Sequence, residues 1–226
     1  MVNMEPKQRG EVRNMANTYV YSRKEEVANA VTHGLGAALS IAGLTLLIVF
    51  ASLKGTAWHV TSFTVYGVTM LMLYVASTLV HSFREGKVKD LFETFDHSCI
   101  YLFIAGTYTP IMLTVLRSPL GWTLFGIVWG IAVAGIVFKA FFTKRFLYLS
   151  TLFYVLMGWM VVFAWGPLQN AMSPSGLNLL IAGGVLYTLG TIFYVWRAFP
   201  YHHAVWHLFV LAGSVVHFFA ILLYLL

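Results

Sequence analysis

Seven apolar stretches, each long enough to cross a lipid bilayer, occupy most of this chain and leave it few other ways to fold. The hydrocarbon core of a bilayer is about 30 Å thick, so a spanning helix needs roughly 20 mostly apolar residues. The stretches lie at about 33–53, 60–82, 96–116, 121–142, 146–166, 177–197 and 203–225. Backbone polar groups in lipid must be satisfied within the segment, which makes these runs helices. Charged residues are only 10% of the chain, whereas soluble domains carry about a quarter. An ordinary soluble domain is therefore excluded. The expected fold is all-α: one polytopic seven-helix transmembrane domain over 25–226, after a polar, flexible cytoplasmic segment at 1–24. The first apolar run is long enough to span, so no cleavable signal peptide is expected, and Met15 offers a second plausible start.

The net charge of +6 is explained by its placement. Twelve basic residues fall on one side of the expected bundle: Lys7, Arg9, Arg13, Arg23, Lys24, Arg84, Lys87, Lys89, Lys139, Lys144, Arg145 and Arg197. Only Lys54 and Arg117 fall on the other. Cytoplasmic loops carry the excess of lysine and arginine, so the N-terminus is expected inside and the C-terminus outside. The basic excess is topology, and no nucleic-acid partner is implied. A single cysteine, Cys99, rules out an intrachain disulfide.

Local signals refine this outline. Ser22-Arg-Lys-Glu25 has the form of a capping box and predicts a short amphipathic helix leading into the first span. Arg84 to Phe95 reads as a charged cytoplasmic segment. Gly166-Pro167 and Ser173-Pro-Ser-Gly176 bracket an uncharged external loop. Tyr108-Thr-Pro110 should kink the third span, because proline cannot donate the hydrogen bond a helix needs there. Gly126 and Gly130 form a GxxxG, which more often marks close helix packing than function. Trp58, Trp122, Trp165 and Trp206 fall near the expected interfaces, as an aromatic belt would.

The ionisable residues are not scattered. Six of the eight histidines and all eight carboxylates gather at the expected cytoplasmic rim. Ser77 and His81 are four residues apart on the second span, so they share a helical face. Asp96-His97 opens the third span, and His203 and His207 lie one turn apart at the start of the seventh. Ionisable groups within spans cost about 2.5–3.5 kcal/mol at mid-membrane on insertion scales, which marks them as functional candidates. Neutral imidazole is a good zinc ligand, and a catalytic zinc uses three protein ligands plus water. His81, His203 and His207 are the candidate ligands for Zn²⁺. Asp96 could hold or deprotonate a bound water, whose pKa falls to about 7 on zinc, and Ser77 could hydrogen-bond the water, the substrate or Asp96. Imidazole ligands also suit other divalent ions.

Plainer readings stand beside these. A lone intramembrane histidine is more often a hydrogen-bonded packing residue than a ligand. Asp96 serves equally well as the N-cap or first-turn acid of the third span, where a carboxylate favours the helix dipole. His202 reads as a solvated interface residue, His33 as a structural hydrogen-bonding group, His59 as an external interface residue, and His217 as an interhelical hydrogen-bonding group. Cys99 reads as a small buried residue.

At these positions the chain resembles the bacterial hemolysin III family. That family is the prokaryotic branch of the progestin and adipoQ receptor family, in a superfamily that includes alkaline ceramidases. The resemblance covers roughly residues 22–226. It rests on Glu26-x-x-Asn29-x-x-Thr32-His33-Gly34, Ser77-x-x-x-His81, Asp96-His97, and His203-x-x-x-His207 with the later His217. It implies a zinc ion on the cytoplasmic side held by His81, His203 and His207, a water associated with Asp96, and a part in membrane lipid homeostasis. The expected function is an intramembrane hydrolase of a lipid amide or ester in the cell membrane, with a membrane lipid as substrate or ligand. A membrane-state sensor with a structural zinc is the alternative, and a cytolytic protein a weaker one, because seven permanently apolar spans do not suit a secreted toxin. A transporter would need polar groups spread along a path, whereas here they gather at one end.

Overall fold

A computed structural model describes residues 21–226 of the chain. Among them lie seven helical spans, and the described residues contain no strand. The N-terminal Lys7, Arg9, Arg13 and Met15, and most of the segment expected at 1–24, fall outside the described residues.

The first helix, α1 (Arg23–Lys54), is capped as its sequence predicts. Ser22 Oγ accepts from Glu25 N–H, and the Glu25 carboxylate accepts from Ser22 N–H. The cap opens one continuous helix of 32 residues rather than a short amphipathic helix and a separate span. At 1.5 Å per residue it is about 48 Å long, more than the hydrocarbon core, so its polar first turns extend beyond the apolar layer. Its inward stripe repeats every three or four residues from Glu25 through Asn29 and His33 to Gly36, and on to Ala51.

The remaining six spans are α2 (Ala57–Ser82), α3 (Lys87–Pro110) with a π-helical turn (Ile111–Val115), α4 (Pro119–Phe142), a fifth made of α5 (Leu147–Gly158) and α6 (Trp165–Ala171), α7 (Pro174–Val195) and α8 (His202–Tyr224). α1 packs on α2, α2 on α3, α3 on α4 and α7 on α8, while α5 lies against α3 and α7; α1 also packs on α8, which brings the first and last described spans together. The third span is the axis. Its most apolar window is 72% buried, against 22–56% for the others.

Pro110 breaks the third span as expected. It has no N–H to offer the Gly106 carbonyl, and the helix widens into the π turn immediately after it. The fifth span is broken too, which the sequence did not suggest. Between α5 and α6 it tightens into a 3₁₀ segment (Trp159–Ala164). The Tyr108 hydroxyl fills that break, donating to Gly158 O at 2.7 Å and accepting from Val161 N–H at 2.9 Å.

Several boundaries differ from the sequence reading. The charged stretch 84–95 is mostly helix, since α3 begins at Lys87. Several of its charges are paired: Lys89 bridges Glu26 and Glu85, and Lys144 holds Asp90 at 2.6 Å. Gly166-Pro167 sits inside α6, so the expected external loop shrinks to the turn before Ser173 caps α7. Lys139, expected near a loop, is a buried residue of α4. Gly126 and Gly130 face open space, where an added Cβ would find nothing within 4 Å, so their GxxxG makes no helix contact among the described residues. Trp58 and Trp122 do form an exposed aromatic pair at 5.9 Å, with Arg117 over the Trp58 ring. Trp165 and Trp206 instead line an internal cavity.

Candidate metal centre

Three imidazoles meet where α1, α2 and α8 converge. His81 ends α2, and His203 and His207 occupy successive turns at the start of α8. One ligand atom from each lies within 4.8 Å of the others, and all three residues are buried. Nitrogens bound to a single zinc at about 2.0–2.1 Å sit roughly 3.4 Å apart in tetrahedral geometry.

The hydrogen bonds decide which nitrogens are free. His207 Nδ1 lies 3.1 Å from Asn29 O and 3.1 Å from Thr32 Oγ1. The Thr32 hydroxyl proton goes to the carbonyls of Ala28 and Asn29, so Thr32 accepts from His207 Nδ1–H. The proton is then on Nδ1, and Nε2 carries the open lone pair. His81 Nδ1–H donates to Glu26 Oε2 at 2.6 Å, and the 3.5 Å approach of the Asn29 amide to the same nitrogen is too long to compete. His81 Nε2 is buried with no hydrogen-bond partner, and so is His203 Nδ1. A buried polar atom left unpaired costs about 1–3 kcal/mol. Two such nitrogens, beside a third with an open lone pair, belong to a trio of side chains that could hold a metal ion.

The first helix supplies the frame. Glu26 holds His81, Asn29 and Thr32 hold His207, and the neighbouring Glu25 Oε1 accepts from Tyr201 N–H at 3.1 Å. Tyr201 is the left-handed residue from which α8 starts, so Glu25 fixes the origin of the helix carrying two candidate ligands. Tyr21 covers the cluster, its ring 5.2 Å from that of His203 and 5.9 Å from that of His81. From the sequence Glu25 was read only as a helix cap, and Glu26, Asn29 and Thr32 entered only through the family resemblance, none of them with a role beside the histidines. The available signal was their spacing, which sets polar side chains on the inward stripe of an otherwise apolar helix.

Asp96 and Ser77 border the same space, and both line a cavity of about 170 Å³ together with His203 and His207. Asp96 lies close enough to interact with Ser77 and with His81, although Ser77 Oγ makes no well-formed hydrogen bond. The helix-cap reading of Asp96 does not hold: α3 begins at Gly86-Lys87, and Asp96 is well inside it. Away from the polar head the cavity walls are apolar and include Phe103, Ile111, Val162, Trp165, Leu168 and Leu180.

The other histidines sort cleanly. His217 Nε2–H donates across to Leu180 O at 2.9 Å, the interhelical bond expected of it. His97 is bound on both nitrogens, to Glu93 O and the Tyr194 hydroxyl. His59 reaches back to Thr56 as a cap of α2. Two expectations fail. His202 is fully buried rather than solvated, because the turn at Tyr201 directs its Nδ1 to Phe193 O at 3.1 Å. His33 does not act as a hydrogen-bonding group: neither ring nitrogen has a well-formed partner, and the ring is stacked on His207. Cys99 is free and buried, as expected.

Residues 21–218 match the model of the family described as "Haemolysin-III related". The chain is 54% identical over 205 residues to the hemolysin-3 homolog of Bacillus subtilis, covering 91% of this chain and 96% of that protein. It is 55% identical over 203 residues to hemolysin-3 of Bacillus cereus, covering 90% and 93%. A more distant relative is the human monocyte to macrophage differentiation factor, 29% identical over 207 residues, or 89% of this chain and 84% of that one.

Proposed function

The chain belongs to the haemolysin-III-related family of multi-pass membrane proteins, and from that premise we propose that it is a zinc-dependent intramembrane hydrolase of a lipid amide or ester. The observation that carries this reading is the set of three buried imidazoles, within 4.8 Å of one another, two of which, His203 and His207, line a mostly apolar cavity. A zinc ion held by His81, His203 and His207 supplies Lewis acidity, polarising a carbonyl and making water nucleophilic at neutral pH. Every other part is protein. Asp96 is placed to orient the attacking water and take its proton, then return it to the departing nitrogen or oxygen. Ser77 is placed to donate a hydrogen bond to the Asp96 carboxylate or to the substrate. The apolar walls suit an acyl chain and keep bulk water from the reacting groups. Substrate would arrive from the bilayer of the cell membrane, in keeping with a part in lipid homeostasis. The charge distribution supports an orientation with the histidine cluster at the cytoplasmic face and the C-terminus outside.

The test is elemental analysis of detergent-purified protein, followed by hydrolysis assays on a panel of lipid amides and esters. About one zinc per chain is expected, lost in a His203→Ala/His207→Ala double variant. Asp96→Asn should keep the metal and lower turnover by about 10²–10⁴-fold. Bound metal in wild type with no hydrolysis of any lipid in the panel would fit the alternative, a membrane-state sensor stapled by a structural zinc. A well-folded wild type without metal would end both readings.

A further inference from the structure

Glu26 is bonded directly to one of the three converging imidazoles. Its two oxygens are divided between two duties. Oε2 accepts the Nδ1–H of His81 at 2.6 Å, and Oε1 accepts from Lys89 Nζ at 2.5 Å. Lys89 in turn reaches Glu85 at 2.5 Å. The Glu26 and Lys89 side chains are only 15% and 13% exposed, while that of Glu85 is 76% exposed. A file of side chains therefore runs from solvent, through Lys89 and Glu26, to the imidazole ring that faces the cluster.

We propose that Glu26, braced by Lys89, is a positioning residue for the metal: it fixes the tautomer and ring orientation of His81 so that Nε2 faces His203 and His207. This rests on the metal reading above. The chemistry is general. A ligating histidine that donates its far N–H to a carboxylate is oriented by it and made a better electron donor, and loss of that partner weakens metal binding. The geometry here is specific. Only a proton on Nδ1 satisfies the 2.6 Å contact with Glu26, and that leaves Nε2, buried and unpartnered, as the sole ligand atom His81 can offer. Lys89 keeps the carboxylate from turning away, and it carries the first turn of α3 with it. The register of α3 against α1 at this end of the bundle is thereby tied to the ligand.

The experiment is a Zn²⁺ affinity measurement on the full-length, detergent-purified chain, by competition with a chelating dye at fixed pH. It compares wild type with Glu26→Ala, Glu26→Gln, Lys89→Met and Glu85→Gln, and uses the visible absorption of bound Co²⁺ as a second readout. Glu26→Ala should bind about 10–100-fold more weakly. Glu26→Gln, which keeps an oxygen to accept the Nδ1–H but loses the charge, should lose less, and Lys89→Met should move the same way. Glu85→Gln should match wild type. The Co²⁺ spectrum should shift in Glu26→Ala, which a loss of stability alone does not cause in protein that remains folded. The inference is overturned if folded Glu26→Ala and Glu26→Gln both bind within about twofold of wild type with unchanged spectra. Absence of metal binding by wild type itself is a different result, visible in its own arm, and overturns the metal reading and this inference together.

Discussion

The ring of His33 lies flat on that of His207, with centroids 3.4 Å apart and planes 13° from parallel. On its other side His33 meets the edge of Tyr74 at 5.0 Å. A candidate ligand is thus backed by an aromatic wall rather than by a hydrogen bond alone. His33 works here through shape, since neither of its nitrogens has a well-formed partner.

Shape is separable from chemistry at this position. His33→Phe retains a stacked ring and should keep zinc affinity within about threefold of wild type, whereas His33→Ala frees the His207 ring and should weaken binding about tenfold. Chelator competition on the two purified variants measures the difference. Equal losses in both would show that the His33 nitrogens matter.

Acid should strip the metal. Imidazole binds zinc only when unprotonated, and its unperturbed pKa is about 6.5, so three histidine ligands make affinity fall as pH drops. Protein dialysed at about pH 5 should retain far less zinc than protein held at about pH 7.5, and should regain it on neutralisation. Elemental analysis of the two samples reads this directly, and equal content would argue against a site built from histidine alone.

Two kinds of glycine should respond in opposite ways. A Cβ on Gly36 would meet the buried Tyr74 ring at 2.3 Å, between the helices that carry Glu26 and His81. Gly36→Ala should therefore cost about 1–3 kcal/mol through overpacking, seen as a lower melting temperature in detergent. Gly126→Ala and Gly130→Ala meet nothing and should leave it unchanged or raise it slightly, because alanine is the better helix former.

Tyr108 should govern the break in the fifth span. Tyr108→Phe removes the hydroxyl that serves Gly158 O and Val161 N–H, at an expected cost of about 1–3 kcal/mol. Amide hydrogen exchange should then rise within Trp159–Ala164 more than in α2 or α8. Uniform exchange across all spans would mean the hydroxyl is not what holds the segment.

The spans were legible because a run of about 20 apolar residues has almost no other fate in a bilayer. Their ends were harder to read. Arg84 to Phe95 read as a charged segment ahead of the third span, yet most of it lies in α3, where Lys89 pairs with Glu26 and Asp90 with Lys144 from other parts of the chain. A pairing between residues 26 and 89 leaves no mark in local sequence. The same holds at His202, whose burial follows from a left-handed turn at Tyr201 that nothing in Phe199-Pro-Tyr201 announces. His81, His203 and His207 were found from type and depth alone, because buried imidazoles on separate spans need a reason to be there. Glu26, Asn29 and Thr32 entered only as part of the family resemblance, without a role as supports, because their partners are at least 52 positions away.

The three imidazoles also set an order of events during synthesis. His81 can dock on Glu26 as soon as the first two helices are in the membrane, but His203 and His207 belong to α8, which emerges after the six other described spans. Until α8 slots against the first helix, the cluster does not exist, and a chain interrupted before it presents only one of the three imidazoles, His81. Closure of the site therefore reports that the first and the last of the described spans have met, which a chain interrupted between them cannot counterfeit.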